Sequence, residues 1–367
     1  TGVQTCALPI STDTPQAAGS GDALAKVYAA VEGKTGQDRF DTLLGLAREE
    51  AKQGPFGFYH SGTFTAEIEA FEKLTGIKVG DFEATSERVA ERVVNEHQAG
   101  RPGSAVVLGG DEDLENLYLA GGLAELETPM REHVSKEYQA ESWVSPLGIM
   151  EMPAYNSDTV KPEELPRTWE DLFTNFDKRI GIELTDWSWY GSLVQRYFVE
   201  QKGMTEEAAI KLITDGLRGA YTVDGHTLTA NLLASGQYDY VPNVFAHYVP
   251  RLQQAGAPIT WEGLSPDMPP FFTVLGVGIT KDTPHPASAL LFIEFLLSEQ
   301  GQTIIAGRNY VPTADTYPGE TLLEKYPNTI IDSVVVPEGR DATEVQNEWK
   351  AKFDELLRAA GTAQVKG

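Results

Sequence analysis

Cysteine and basic side chains are the two scarcities of this sequence. One cysteine, Cys6, occurs in 367 residues, which excludes a disulfide framework and CxxC-type zinc or redox sites. Lys and Arg number 29 against 54 Asp and Glu, a formal net charge of −25. No basic block exists to displace counterions from phosphates, so nucleic acid is excluded as a partner. The same deficit argues against an anionic membrane surface. No run of about 18 apolar residues occurs, so no segment is apolar for long enough to cross a bilayer as a helix. Enzyme signatures are missing as well: there is no P-loop, no GxGxxG after a strand, no HExxH and no GxSxG. The six histidines (His60, His97, His133, His226, His247, His285) show no i,i+4 pairing, and His97, His133 and His285 read as solvated or core residues. What is present is a globular composition, 41% apolar with 10% aromatics, on a chain long enough for two domains.

The first ten residues, TGVQTCALPI, resemble the translation of a common short-read sequencing adapter. Residues 1–10 are therefore expected to be an assembly artefact, Cys6 with them, and the natural export signal to be missing. Residues 11–21 (STDTPQAAGSG) read as a flexible linker. Such a tether often follows the anchored cysteine of an exported lipoprotein.

Helical spacing groups Leu24, Val27, Tyr28 and Val31 on one face, and Phe40, Leu43, Leu44 and Ala47 on another, before Gly54-Pro55 stops the pattern. Strand and helix then alternate three times. Strands are expected at 56–59, 77–82 and 105–108. The helices are one with Phe64, Ile68, Phe71 and Leu74 on a face, then 86–98 and 111–120. This alternation predicts a parallel sheet flanked by helices. A second α/β unit follows, with strands at 179–184, 221–223 and 238–245. Its helices surround Trp169, Leu172 and Phe173, run to about 201, and cover 205–217, 228–235 and 251–255. Extended stretches at 147–154 and 269–279 lie at the ends of this unit. Long helices follow at 286–297 and 299–306, and a last one carries Val345, Trp349, Phe353 and Leu356 on one face.

One arrangement recurs: strand, small-residue turn, helix start. It appears at Ser61-Gly62-Thr63, Gly109-Gly110-Asp111, Asp186-Trp187-Ser188 and Gly225-His226-Thr227. Glycine lets a ligand approach the backbone, and a helix N-terminus attracts polar oxygens and anions. In open α/β sheets ligands lie at such strand ends. Of the nearby aromatics, Trp189 is assigned to the core, and Trp187 or Tyr190 is expected to face a cleft.

Several stretches then carry a resemblance: FYHSGT, AVVLGGDEDLENLYLAGGLAEL, RIGIELTDWSWYGSLV, DGHTLTANLLASGQYDYVPNVFAHYVPRLQQAGAPI and GVGITKDTPHPASALLFIEFLLSEQGQTIIAGRNYVPTA. In collinear order from Leu43 to Pro318 the chain resembles the group 1 extracellular solute-binding proteins of ABC importers, the ferric-iron-binding-protein-like branch. The resemblance implies an α/β, two-lobe type II periplasmic binding fold, each lobe a mostly parallel sheet flanked by helices, joined by two crossing strands. The division expected is 22–53 N-terminal helices, 54–150 first lobe, 151–267 second lobe, 268–320 return to the first, and 321–367 a helical tail. It implies no catalysis, no cofactor, permease subunits as membrane partners, a monomer, and a place in the periplasm or on the cell surface. A chemosensory receptor on the same fold, or an enzyme on it, are the competing readings.

Iron-binding relatives resemble one another in using a His in the first turn, a Glu in the second and adjacent tyrosines after the last strand of the second lobe. Here those positions hold Thr63, Gly110 and His247-Tyr248, which leaves Tyr248 as the hard oxygen ligand and disfavours bare ferric iron. The expected solute is a small organic or phosphorylated anion. Ser61, Gly62, Thr63, Gly109, Gly110, Asp186, Trp187, Gly225 and Thr227 would hold it, with Tyr190 or Trp187 on its apolar part. His226 and His247 would become cationic donors in mild acid. The alternative is iron, another metal or a metal chelate, with His226, His247 and Tyr248 as ligands.

Overall fold

The computed structural model describes residues 21–365; the expectations for residues 1–10, and for 11–21 apart from Gly21, lie outside the described residues. The strands are β1 (Phe56–His60), β2 (Val79–Glu83), β3 (Val106–Gly110), β4 (Trp143–Asn156), β5 (Gly181–Glu183), β6 (Tyr221–Val223), β7 (Tyr240–Phe245), β8 (Ile259–Thr260), β9 (Phe271–Ile279), β10 (Val311–Pro312), β11 (Ile330–Ile331) and β12 (Ala363–Gln364). The large sheet runs β10-β4-β9-β3-β1-β2, with β7 and β8 also on β4 and β11 on β9. A small sheet runs β12-β6-β5. β1 pairs parallel with β2 and β3, and β5 with β6, as the strand–helix alternation predicts. The two long strands are antiparallel to each other, and β9 is antiparallel to β3, so the large sheet is mixed.

The first-lobe core gathers around the helix Pro286–Leu297, of which all but Glu294 are buried. Phe56, Phe58, Phe71 and Phe292 pack edge to face in it. The N-terminal helices lie against it through Leu24, Val27, Val31, Leu43 and Ala47. Two ionic contacts fix this docking. Arg39 forks onto Glu294 at 2.7 Å, and Glu50 accepts the amides of Ala287 and Ser288, both at 2.8 Å. Those amides belong to a buried helix start that has no intrahelical acceptor, and a carboxylate there also meets the positive end of the dipole.

In the second core Trp169, Trp189, Phe198 and Phe271 meet the last helix, Ala342–Ala359, which buries Val345, Trp349, Phe353, Leu356 and Leu357. Three local expectations shift. Leu74 is 44% exposed because the buried face of its helix is Glu67, Ile68, Phe71 and Thr75, turned so that Glu67 reaches Arg308. The helix expected from 228 begins at His226, and Leu193–Gln201 is wound as a π-helix.

Glu50→Ala should cost about 1–3 kcal/mol, because it strands two buried amides. Urea unfolding measures this; a midpoint equal to that of the unaltered protein would show that the cap is dispensable.

Candidate functional site

A cavity of about 460 Å³ opens between the two lobes. One wall is the turn after β1, with Gly62 and Thr63, together with Arg308, Asn309 and Tyr310 at the end of the helix Glu299–Gly307. The other wall is Thr227, His247, Tyr248, Arg251 and Gln254. Gly62 has φ +104°, a conformation that a side chain resists, and a Cβ there would come within 3.7 Å of the Tyr310 hydroxyl. Asn309 has φ +64°, the left-handed turn that sends Arg308 and Tyr310 toward the cavity.

Aromatic stacking stiffens both walls. The His247 ring lies 4.4 Å from Tyr310 and 4.2 Å from Tyr248, and His226 stacks on Phe245 at 3.8 Å. Thr227 donates its hydroxyl to the Tyr248 oxygen at 2.8 Å. Arg251 lies over Tyr248 and Arg308 over Tyr310, and Arg308 is anchored by the fully buried Glu67 at 2.6 Å. Burial, reinforced by Arg251 and Arg308, pushes the His247 pKa down to about 3. Burial also lowers that of His226. Both shifts run against the expectation that these two become cationic donors in mild acid.

Beside this cavity lies a carboxylate-rich region. Glu183, Asp186 and His226 each bring a ligand-type atom within 4.8 Å of the others. Glu183 accepts the Gly225 amide at 2.8 Å and the Thr185 hydroxyl at 2.6 Å. On the long strands, Glu151 accepts the Thr273 hydroxyl at 2.5 Å; just after β11, Asp332 accepts Ser188 and Ser192, both at 3.0 Å. Burial, with Asp332 as neighbour, holds the Glu151 carboxyl well above its ordinary range. Asp186 is raised by burial and then by Glu183 and Glu151.

Of the residues picked from sequence, Gly62, Thr63, Thr227, His247 and Tyr248 line the cavity, and Asp186, Gly225 and His226 form the region beside it. Ser61 is taken up by Ser86 at 2.9 Å. Gly109 and Gly110 line neither, and the helix start they lead to already carries Asp111, Glu112 and Asp113, which repel an anion. Tyr190 does not face a cleft: it is fully buried against Trp349 and Phe353, because the last helix covers that side of 187–192. Trp187 is partly buried, with Lys350 over its ring at 4.9 Å. Arg251, Arg308, Tyr310 and Glu183 were not singled out. The signal for Arg308 and Tyr310 is the Gly-Arg-Asn-Tyr turn that follows a helix.

Residues 66–329 match the family described as bacterial extracellular solute-binding protein. The chain belongs to that family. The iron uptake protein A1 of Synechocystis is 26% identical over 289 residues, 72% of this chain and 77% of that one. Among solved structures, Trichodesmium IdiA (FutA) in complex with iron and citrate aligns at TM-score 0.63 and 23% identity, over 84% of this chain and 99% of that one. Iron-bound HitA of Pseudomonas aeruginosa aligns at 0.62 and 20%, over 82% and 99%. An ABC-transporter substrate-binding protein of Agrobacterium tumefaciens aligns at 0.67 and 14%, over 84% and 96%. These likenesses show the two-lobe fold. The chain is thus an extracellular solute-binding protein, with a small solute as its partner.

Glu112 offers a pH test. Burial, then Asp111, Asp113 and Asp332, push its carboxyl up to about 7. The folded state therefore holds the proton more tightly than the unfolded chain, at about 4.3. That contribution is complete below the unfolded pKa and is lost as pH rises through about 7. Glu112→Gln should stabilise the protein by roughly 1–3 kcal/mol at alkaline pH and little in acid. Urea midpoints at the two extremes measure this, and an equal change at both would refute the assignment.

Proposed function

We propose that this solute-binding protein captures a metal ion together with a small organic acid, a chelate of the ferric–carboxylate kind. The observation that carries this reading is that two phenols, Tyr248 and Tyr310, share one interlobe cavity with two guanidiniums, Arg251 and Arg308. Phenolic oxygens suit a hard, highly charged ion, whereas arginine's planar fork matches a carboxylate. The names of the relatives support it, since one is an iron uptake protein and one was solved with iron and citrate.

A free anion held by the four turns is the weaker reading. The turns at 109–110 and 186–187 are lined with carboxylates, and the Gly225 amide is already given to Glu183. The anion of the sequence reading becomes the organic half of the chelate. Closure about β4 and β9 would bring Gly62, Thr63 and Tyr310 onto a chelate resting against Tyr248 and Arg251. The protein acts as a monomer, exported and tethered near its permease, in transport rather than sensing. Thr63 donates its hydroxyl to Glu83 at 3.3 Å on the cavity wall, and the reading gives the protein no reaction.

Ferric citrate should raise the melting temperature by several degrees and produce a visible phenolate-to-iron absorption band. Tyr248→Phe should weaken the band and the affinity roughly tenfold or more, and Arg251→Gln should weaken citrate-bound iron more than iron alone. Stabilisation by metal-free organic acids with none by ferric citrate would overturn the proposal.

A further inference from the structure

The carboxylate-rich region has a structure of its own. Glu183 closes β5, Asp186 stands three residues on, and His226 opens the helix after β6. The imidazole Nε2 lies 3.4 Å from one Asp186 oxygen. The other Asp186 oxygen accepts the Asn243 amide at 2.5 Å. Asn243 is 1% exposed, and its own oxygen accepts no hydrogen bond. Buried amide oxygens are rarely left so; it is the amide nitrogen of Asn243 that meets Asp186. Glu183 and Asp186 are both buried, and the only ion pair either makes among the described residues is that of Asp186 with His226. Two carboxylates out of water with no cation between them is an arrangement that a bound cation relieves.

We propose that Glu183, Asp186 and His226 form a binding site for a divalent first-row transition-metal ion, distinct from the tyrosine–arginine cavity, with the Asn243 amide holding Asp186 in place. Carboxylates suit Mn²⁺, imidazole suits Zn²⁺ and Fe²⁺, and the mixed set favours these over Ca²⁺ and Mg²⁺. Thr185 and Gly225 hold the Glu183 carboxylate in place by hydrogen bonds, as outer partners do at metal sites. The parallel pairing of Glu183 with Val223 sets the two ligand-bearing turns side by side. All three ligands lie on the β5–β6 side, so the site is formed without lobe closure and needs neither Arg308 nor Tyr310. The ion would fix the turn that presents Thr227 to Tyr248. The proposal stands whether or not the solute is a chelate.

Equilibrium dialysis of the full chain against Mn²⁺ and Zn²⁺, with metal analysis and the paramagnetic resonance of bound Mn²⁺, tests it. One ion per chain is expected, with affinity lowered by about 100-fold or more in Asp186→Asn and His226→Gln and unchanged in Tyr310→Phe and Tyr248→Phe. His226 sits at the more open edge of the cluster, so His226→Gln reports on the site even if Asp186→Asn fails to fold. Equal affinity in the unaltered protein and His226→Gln would overturn the site. So would binding of Ca²⁺ or Mg²⁺ as tight as that of Mn²⁺, or no uptake of either transition metal. Loss of ferric citrate binding in Tyr248→Phe with Mn²⁺ binding intact separates this site from the solute cavity.

Discussion

The antiparallel pairing of β4 with β9 is the constraint on which the rest of the molecule depends. β4 is fourteen residues long and buried throughout. It pairs with β9 from Trp143 to Glu151 and carries β10, β7 and β8 along its length. Both lobes hang on these two strands. At Gly148 they leave no room for a side chain: a Cβ would meet the Phe272 ring at 2.2 Å. Near the lobe boundary the pairing also buries Glu151 beside Asp332, bridged by the Thr273 hydroxyl. Burial raises the pKa of both carboxylates, and Asp332 as neighbour raises that of Glu151 further. The hinge is thus a polar seam inside an otherwise apolar spine.

The solute cavity follows from that geometry. The chain turns of one lobe end opposite those of the other, and each wall is stiffened by rings lying against rings. Overall charge says little about the cavity. A molecule with net charge −25 places two arginines in its interlobe cavity, one of them held by a buried glutamate. Arg251 and Arg308 stand over Tyr248 and Tyr310, Glu83 lines the same cavity, and the region toward Asp186 is dominated by carboxylates. A cavity with an arginine on each wall and carboxylates beside it suits a solute that itself carries both signs.

Secondary structure was largely legible because its signals are local. The strand–turn–helix periodicity placed β1, β3, β5 and β6 and the face of the last helix to within a residue or two. Of the two extended stretches read as crossings, 147–154 lies in the middle of β4 and 269–279 takes in the whole of β9. The family resemblance rested on long collinear stretches, and the match to residues 66–329 agrees with it. The site was legible in part. Turns after strands mark where ligands can lie, and Gly62, Thr63 and Thr227 from those turns line the interlobe cavity. Tyr190 was misjudged because its burial depends on a helix about 150 positions downstream. Arg308 and Tyr310 were missed because they reach the cavity only through the left-handed turn at Asn309. Glu183 reads as an ordinary strand end until the fold sets it against Asp186 and His226.

The central claim is that two lobes close on one solute about β4 and β9. Small-angle X-ray scattering, with and without saturating ferric citrate, tests it most directly. The account predicts a smaller radius of gyration on binding, and in Tyr248→Phe the same change only at roughly tenfold or more higher ferric citrate. Ferric citrate bound stoichiometrically with an unaltered scattering curve would contradict it.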